Sequence, residues 1–319
     1  MWPKRSTSFS PHGEPIALPR QSVRLVRDCC DTVAWVSKFK VKLIFFEDFF
    51  VSLSKSIPVR QPALRASRSS KQEPSALPEV NTSEYQGVRY LHLGSEWVQG
   101  SMIIKEPYQI HLEYVQRMMG WLLLLPSQTL LGRSTMQLGL GSGAITKFCA
   151  KVLKLKTTAI ELNPQVVAAC RLWFKLPADS DHLQVVLGDA QEVVAHDHWR
   201  GQVDALQVDL YDAEAAAPVL DSVEFYQGCQ SLLTPDGVMS VNLFGKNSQF
   251  DKSVEAIRLA FGEGSFWAFR PTKEGNTVVL AQRGLHALSR EQLSERAQFI
   301  QEKYHLPAEK WLKVLKPLN

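Results

Sequence analysis

Six short apolar runs recur between residues 135 and 283, TMQLGLG, TTAIELN, LQVVLGD, DALQVDLYD, GVMSVNLF and TVVLAQR, and they alternate with stretches of helical length. A strand with one wet face alternates apolar and polar residues, whereas a strand that is apolar throughout needs cover on both faces. The pattern therefore predicts an α/β fold, Rossmann-like, with an open, mostly parallel sheet and helices on both sides. At 319 residues and 45% hydrophobic content, the chain can bury one large core and a small accessory domain. No internal repeat is evident.

The chain divides into four expected regions. Residues 1–78 form a basic, partly disordered extension. From Ser54 to Pro78 they read SKSIPVRQPALRASRSSKQEPSALP, rich in Ser, Pro and Arg without a period. Residues 79–106 form a small hairpin region, in which GVRYLHLGSEWVQGSMII supplies two strands joined at Gly94 and Ser95. Residues 107–285 hold the ligand-binding domain, and residues 286–319 form a C-terminal helical brace. The brace opens with Ser289 and Gln292, spaced as a capping box.

Charge narrows the function classes. Residues 1–78 carry 13 Lys/Arg against 6 Asp/Glu, and the remainder carries 23 against 26. A slightly acidic main body lacks the broad positive face of a dedicated nucleic-acid protein, so no nucleic-acid partner is expected. The apolar stretch VKLIFFEDFFVSL is interrupted by Glu47 and Asp48 and is too short to cross a bilayer. Cys29, Cys30, Cys149, Cys170 and Cys229 show no metal-ligand spacing. A reduced, cytoplasmic chain with no metal and no membrane span is expected. Cys149 and Cys170 fall in apolar helical patterns, where a buried thiol packs as a small hydrophobe. Trp121, Trp173, Trp199 and Trp267 are read as packing aromatics.

The stretch MQLGLGSGAITKFCAKVLKLKTTAIELNP concentrates the chemistry. Gly139, Gly141 and Gly143 end an apolar run and open a helical one, so the backbone can turn sharply and a ligand can approach closely. Glu161 closes the next strand, where a carboxylate can accept hydrogen bonds from both hydroxyls of a ribose. Asp189, after the third strand, can accept from an exocyclic adenine amine or cap the helix that follows, and the two roles are compatible. No Walker lysine is present, which argues against triphosphate cleavage. Glycine loop, ribose acid and third acid together resemble an S-adenosylmethionine-type crevice.

Over Tyr85–Gly284 the sequence resembles the spermidine/spermine synthases, the polyamine aminopropyltransferases, which are built on the methyltransferase fold. GLGSG corresponds to the family's G-G-G-D-G motif. The segment DLYDAEAAAPVLDSVEFYQGCQSLLTPDGVMSVNL resembles its D-x-x-D, F-Y and L-x-x-D-G elements. The resemblance implies a nucleoside site built from Gln99, Gly139, Gly141, Ser142, Gly143, Glu161 and Asp189. It also implies Asp212 as the base, Asp209 as a supporting acid and Tyr108 as a positioning hydroxyl. The implied reaction moves an aminopropyl group from decarboxylated S-adenosylmethionine to an amine, without metal, in a protein that by analogy forms homodimers. A carboxylate suits such chemistry because the attacking amine must lose a proton as it bonds near a sulfonium.

Three departures bear on the acceptor. Ser142 stands in place of the motif's aspartate, Ile110 in place of the glutamate of Y-Q-E, and Lys273 in place of the tyrosine of P-T-Y. Each removes attraction for a polyamine, and a lysine facing the amine would repel it. Methyl transfer from the full S-adenosylmethionine to an unidentified acceptor is the second expectation. A non-catalytic nucleoside-binding protein, with Asp209 and Asp212 as helix caps, is the third.

Overall fold

The computed structural model describes residues 77–126, 130–211, 220–244, 248–262, 264–284 and 288–318. All of them belong to the second of two units of chain, Ser70–Asn319. Asp212 and the basic extension with its linker, apart from Leu77 and Pro78, lie outside the described residues.

The first described elements are β1 (Val80–Tyr85), β2 (Val88–Leu93) and β3 (Gly100–Ile103), an antiparallel sheet in that order. The tight turn is Gln86–Gly87, both residues having positive φ of 47° and 79°, the geometry that matches the twist of a two-residue hairpin. The sequence reading of one hairpin is thus corrected to three strands, because β1 reads VNTSEY and is almost wholly exposed. Its backbone pairs along β2 from Val80–Leu93 to Tyr85–Val88, and no apolar alternation announces it. The link from β2 to β3 spans residues 94–99 rather than the two residues expected.

The second sheet has eight strands. β4 (Ser134–Leu138), β5 (Lys156–Glu161), β6 (Leu183–Leu187), β7 (Val203–Val208) and β8 (Leu233–Phe244) are parallel. β9 (Ser265–Phe269), β10 (Asn276–Gln282) and β11 (Leu315–Pro317) complete it through antiparallel pairs. The order is β11-β9-β10-β8-β7-β4-β5-β6. From β4 the chain steps outward to β5 and β6, then returns to β7 on the other side of β4. That reversal makes the carboxyl ends of β4 and β7 the topological switch point, where ligands of such sheets bind.

Local chemistry starts the helices where the sequence places them. Asn163 caps α3 (Pro164–Trp173), accepting from the Gln165 amide at 2.9 Å ahead of a proline in the first turn. Asp189 caps α4 (Ala190–Ala195) and Ser222 caps α5 (Val223–Leu232). The remaining helices are α1 (Glu113–Met118), which continues as a 3-10 turn over Met119–Leu123, α2 (Ala144–Lys147), which continues as a π turn over Phe148–Val152, and α6 (Ser248–Phe261). The expected capping box at Ser289 and Gln292 opens α7 (Arg290–Tyr304), followed by α8 (Ala308–Val314). The brace is not wholly helical, because β11 then pairs with β9 and Trp311 packs edge-to-face on Phe269 at 6.2 Å.

Apolar side chains cover the large sheet in two clusters. Trp121, Phe148, Ile300 and Trp311 belong to one, and Tyr226, Leu232 and Ile257 to the other. A third joins Leu91 and Met102 of the small sheet to Cys170 and Phe174 of the α3 region. Fully burying one such side chain contributes about 1.5–3 kcal/mol, and the third cluster thereby holds the small sheet over the switch point. Trp121 is buried as expected, whereas Trp173 is 44% exposed. Cys149 and Cys170 are buried, and desolvation pushes each thiol up to about 12.

Candidate active site

A cavity of about 1080 Å³ opens at the switch point between the small sheet and the carboxyl ends of the large one. One end of it is formed by the glycine loop. Gly139, Gly141 and Gly143 have φ of 84°, 51° and 70°, a region that side chains disfavour. At Gly139 a Cβ would lie 2.2 Å from the Asp209 carbonyl oxygen, so the loop can pass between β4 and β7 only as glycine.

Glu161 locks this loop. Its Oε2 accepts from the Leu140 amide at 2.9 Å and its Oε1 from the Asn163 amide at 2.8 Å. Burial raises its pKa, and the amide donors at Asn163, Leu140 and Leu162 oppose that rise. A carboxylate oxygen has about two acceptor positions, so each oxygen keeps capacity for a vicinal diol. Asp189 lines the same cavity while its Oδ1 accepts from the Gln191 amide at 2.8 Å. Gln99, Gly139 and Gly141 line it as well.

Ser142 and Gly143 do not line the cavity. The Ser142 hydroxyl is buried and donates to the Ser101 carbonyl at 3.1 Å, fastening the loop to β3. Gly143 is the residue before α2, and a Cβ there would meet Leu176 at 3.5 Å. Ser142→Ala is therefore expected to cost about 1 kcal/mol of stability through one lost buried hydrogen bond. Thermal denaturation and donor titration check this, because a true donor ligand would lose affinity as well.

The opposite end of the cavity centres on Asp209, just after β7. Its Oδ1 accepts from Asn242 Nδ2 at 2.9 Å, and its Oδ2 accepts from the Tyr114 hydroxyl at 3.4 Å. Burial pushes this carboxyl up to about 6, with the hydrogen bonds from Asn242 and Tyr114 holding it down. Burial and then the Asp209 charge raise Tyr114 well above the usual phenol range, so its hydroxyl stays a donor. Tyr211 donates to the Asn242 carbonyl at 2.8 Å, and Asn276 Nδ2 donates to Asn242 Oδ1 at 3.2 Å. Asp209 and its hydroxyl and amide partners form one connected network.

Tyr108 lies outside this network. It is 38% exposed on the segment between β3 and α1 and does not line the cavity. Tyr114, six positions later in the first turn of α1, is the hydroxyl that reaches Asp209. An ungapped match in sequence cannot register where α1 begins, so it does not show that Tyr114 is the tyrosine turned toward Asp209. Asn242 left a readable signal, as an amide side chain near the carboxyl end of β8 with Val241 and Leu243 on either side. Ile110 is buried in the hydrophobic core and Lys273 is exposed off the cavity wall, so neither departure lines the cavity.

The described lining carries six carboxylates, Glu96, Glu113, Glu161, Asp189, Asp209 and Glu274, and no Lys, Arg or His. Glu113 pairs with Arg117 at 2.5 Å. Such a wall favours cationic ligands and disfavours anionic ones. Among the described residues, no cluster of three or more His, Cys, Asp or Glu side chains could hold a metal ion, and no helix is long and apolar enough to cross a membrane.

A family model described as the spermine/spermidine synthase domain matches residues 139–257, from the glycine loop into α6. The polyamine aminopropyltransferase of Chromobacterium violaceum is 32% identical over 246 residues, 76% of this chain and 92% of that protein. That of Neisseria meningitidis is 31% identical over 247 residues, 77% and 92% respectively. A probable spermidine synthase from Corynebacterium glutamicum shares the fold at a TM-score of 0.58 and 18% identity, over 70% of this chain and 83% of that one. Human methyltransferase-like protein 13, solved with SAH, shares it at 0.55 and 22% identity, over 61% and 93%.

Proposed function

The chain belongs to the polyamine aminopropyltransferases, a family of transferases, and from that membership we propose that its cavity takes decarboxylated S-adenosylmethionine and an amine. The lining among the described residues, six carboxylates without a cation, carries this reading. The decarboxylated donor is cationic at both its sulfonium and its amine, whereas the full donor brings a carboxylate into a wall of like charge.

Glu161 holds the ribose hydroxyls, and Asp189 takes the adenine amine while it caps α4. The acceptor amine arrives neutral beside Asp209. As its nitrogen bonds to the propyl carbon, the carbon–sulfur bond breaks and the electron pair leaves on sulfur as a neutral thioether. The ammonium so formed passes its extra proton to the Asp209 carboxylate. Tyr114 and Asn242 keep that carboxylate oriented through their two hydrogen bonds. In this reading Asp209 takes the base role that the family resemblance gave to Asp212. Asp212 is kept in this reading as the second acid of the D-x-x-D pair. The free, buried Cys149, Cys170 and Cys229 fit a reducing cytoplasmic compartment.

Calorimetric titration with the two donors tests the assignment. The decarboxylated form is expected to bind at least about tenfold more tightly, the equivalent of 1.4 kcal/mol. Preference for the full donor would overturn aminopropyl transfer in favour of methyl transfer.

A further inference from the structure

The turn between β9 and β10 places an acid, not the expected cation, on the cavity wall. The Thr272 amide donates to the Asn276 carbonyl at 2.8 Å, the Gly275 amide to the Thr272 carbonyl at 3.2 Å, and the Asn276 amide to Thr272 Oγ1 at 3.3 Å. Gly275 has a φ of 104°, and a Cβ there would meet the Phe244 ring at 3.4 Å. With its ends tied in this way, the turn keeps Lys273 off the cavity lining and sets Glu274 on it.

Glu274 shares this wall with the base. Two residues on, Asn276 reaches Asn242, which in turn reaches Asp209. Of the other acids, three have partners of their own. Glu113 is paired with Arg117, Glu161 and Asp189 accept from backbone amides at the nucleoside end, and Glu96 belongs to the β2–β3 connection. Among the described residues no cation pairs with Glu274, which is solvent-exposed at the rim.

Resting on the transferase reading above, we propose that Glu274 is a specificity-determining residue: its carboxylate receives the distal ammonium of a diamine whose neutral nitrogen attacks beside Asp209. The site thereby selects a diamine over a monoamine of the same length. Lys273, at the position where the family pattern has tyrosine, takes no part.

The test compares the full-length wild type with Glu274→Gln, Glu274→Lys and Lys273→Ala, using a four-carbon α,ω-diamine and butylamine as acceptors. Glu274→Gln is expected to raise the diamine KM about five- to tenfold, the range for an ion pair at a rim that the ligand partly covers. Donor KM and the kcat/KM for butylamine stay unchanged, Glu274→Lys raises the diamine KM further, and Lys273→Ala matches the wild type. An unchanged diamine KM in Glu274→Gln, or an equal loss with both amines, would overturn the assignment. A wild type that aminopropylates neither amine would instead overturn the transferase reading, and Glu274's role with it. Unchanged donor affinity by calorimetry shows that each variant is folded.

Discussion

Replacing Asp209 with asparagine is expected to lower kcat about a thousandfold while the decarboxylated donor still binds. General-base catalysis by a positioned carboxylate contributes roughly 10²–10⁴ in rate, and an amide cannot take the proton. Donor affinity is spared because, in the proposed function, the nucleoside is held by Glu161 and Asp189, which line the cavity at the glycine-loop end. In the wild type, kcat should fall about tenfold per pH unit below about 6, where the raised Asp209 carboxyl protonates. This limb should be missing from the residual activity of the variant.

Stability should move the opposite way. The folded-state pKa of Asp209 lies above its ordinary value of 3.8, at about 6, so ionisation favours the unfolded chain. The penalty is absent below about pH 4, builds as pH rises toward 6, and is then on the order of 2–3 kcal/mol. Asp209→Asn removes it, and the variant should melt no lower than the wild type at pH 8 and lose that advantage near pH 4. A variant that lost stability at pH 8 would identify Asp209 as a structural cap. A nucleoside-binding protein without chemistry would show no turnover before or after the change.

Glu161→Gln should weaken donor binding about a hundredfold with kcat at saturating donor little altered. Hydrogen bonds to a charged group contribute about 1.5–3 kcal/mol, against about 1 for neutral pairs, and two ribose hydroxyls depend on this carboxylate. The substitution also turns an NH₂ toward either the Leu140 or the Asn163 amide, which the carboxylate now satisfies at 2.9 and 2.8 Å. Two donors then face each other inside the fold, so the melting temperature should fall by several degrees for a cost of about 1–3 kcal/mol. Calorimetric titration with the decarboxylated donor checks the first expectation and thermal denaturation the second. A change in Kd below about threefold would sink the ribose assignment.

Much of the nucleoside end was legible because its signals are local. An apolar run ending in alternate glycines, and acids at the ends of the next two strands, are fixed by chain spacing once the sheet is parallel. Gln99, Glu161 and Asp189 all line the cavity. The amine end was less legible. Its wall is assembled from α1, the residues after β7, β8 and the β9–β10 turn, four segments far apart in sequence. No local period encodes how they meet.

By itself the sequence determined the doubly wound sheet, the glycine turn, the capped helices and the acid at position 209, since these follow from short-range patterning and steric rules. The tertiary structure alone decided that Tyr114 rather than Tyr108 meets Asp209. It also decided that Ser142 fastens the loop to β3, and that Glu274 rather than Lys273 stands on the wall. The strands β1, β9 and β11 belong to the same class, because their pairing rests on backbone hydrogen bonds to distant partners more than on side-chain alternation. The physical reason is that one residue of register turns a side chain from cavity to solvent, and register in these segments is set by long-range packing.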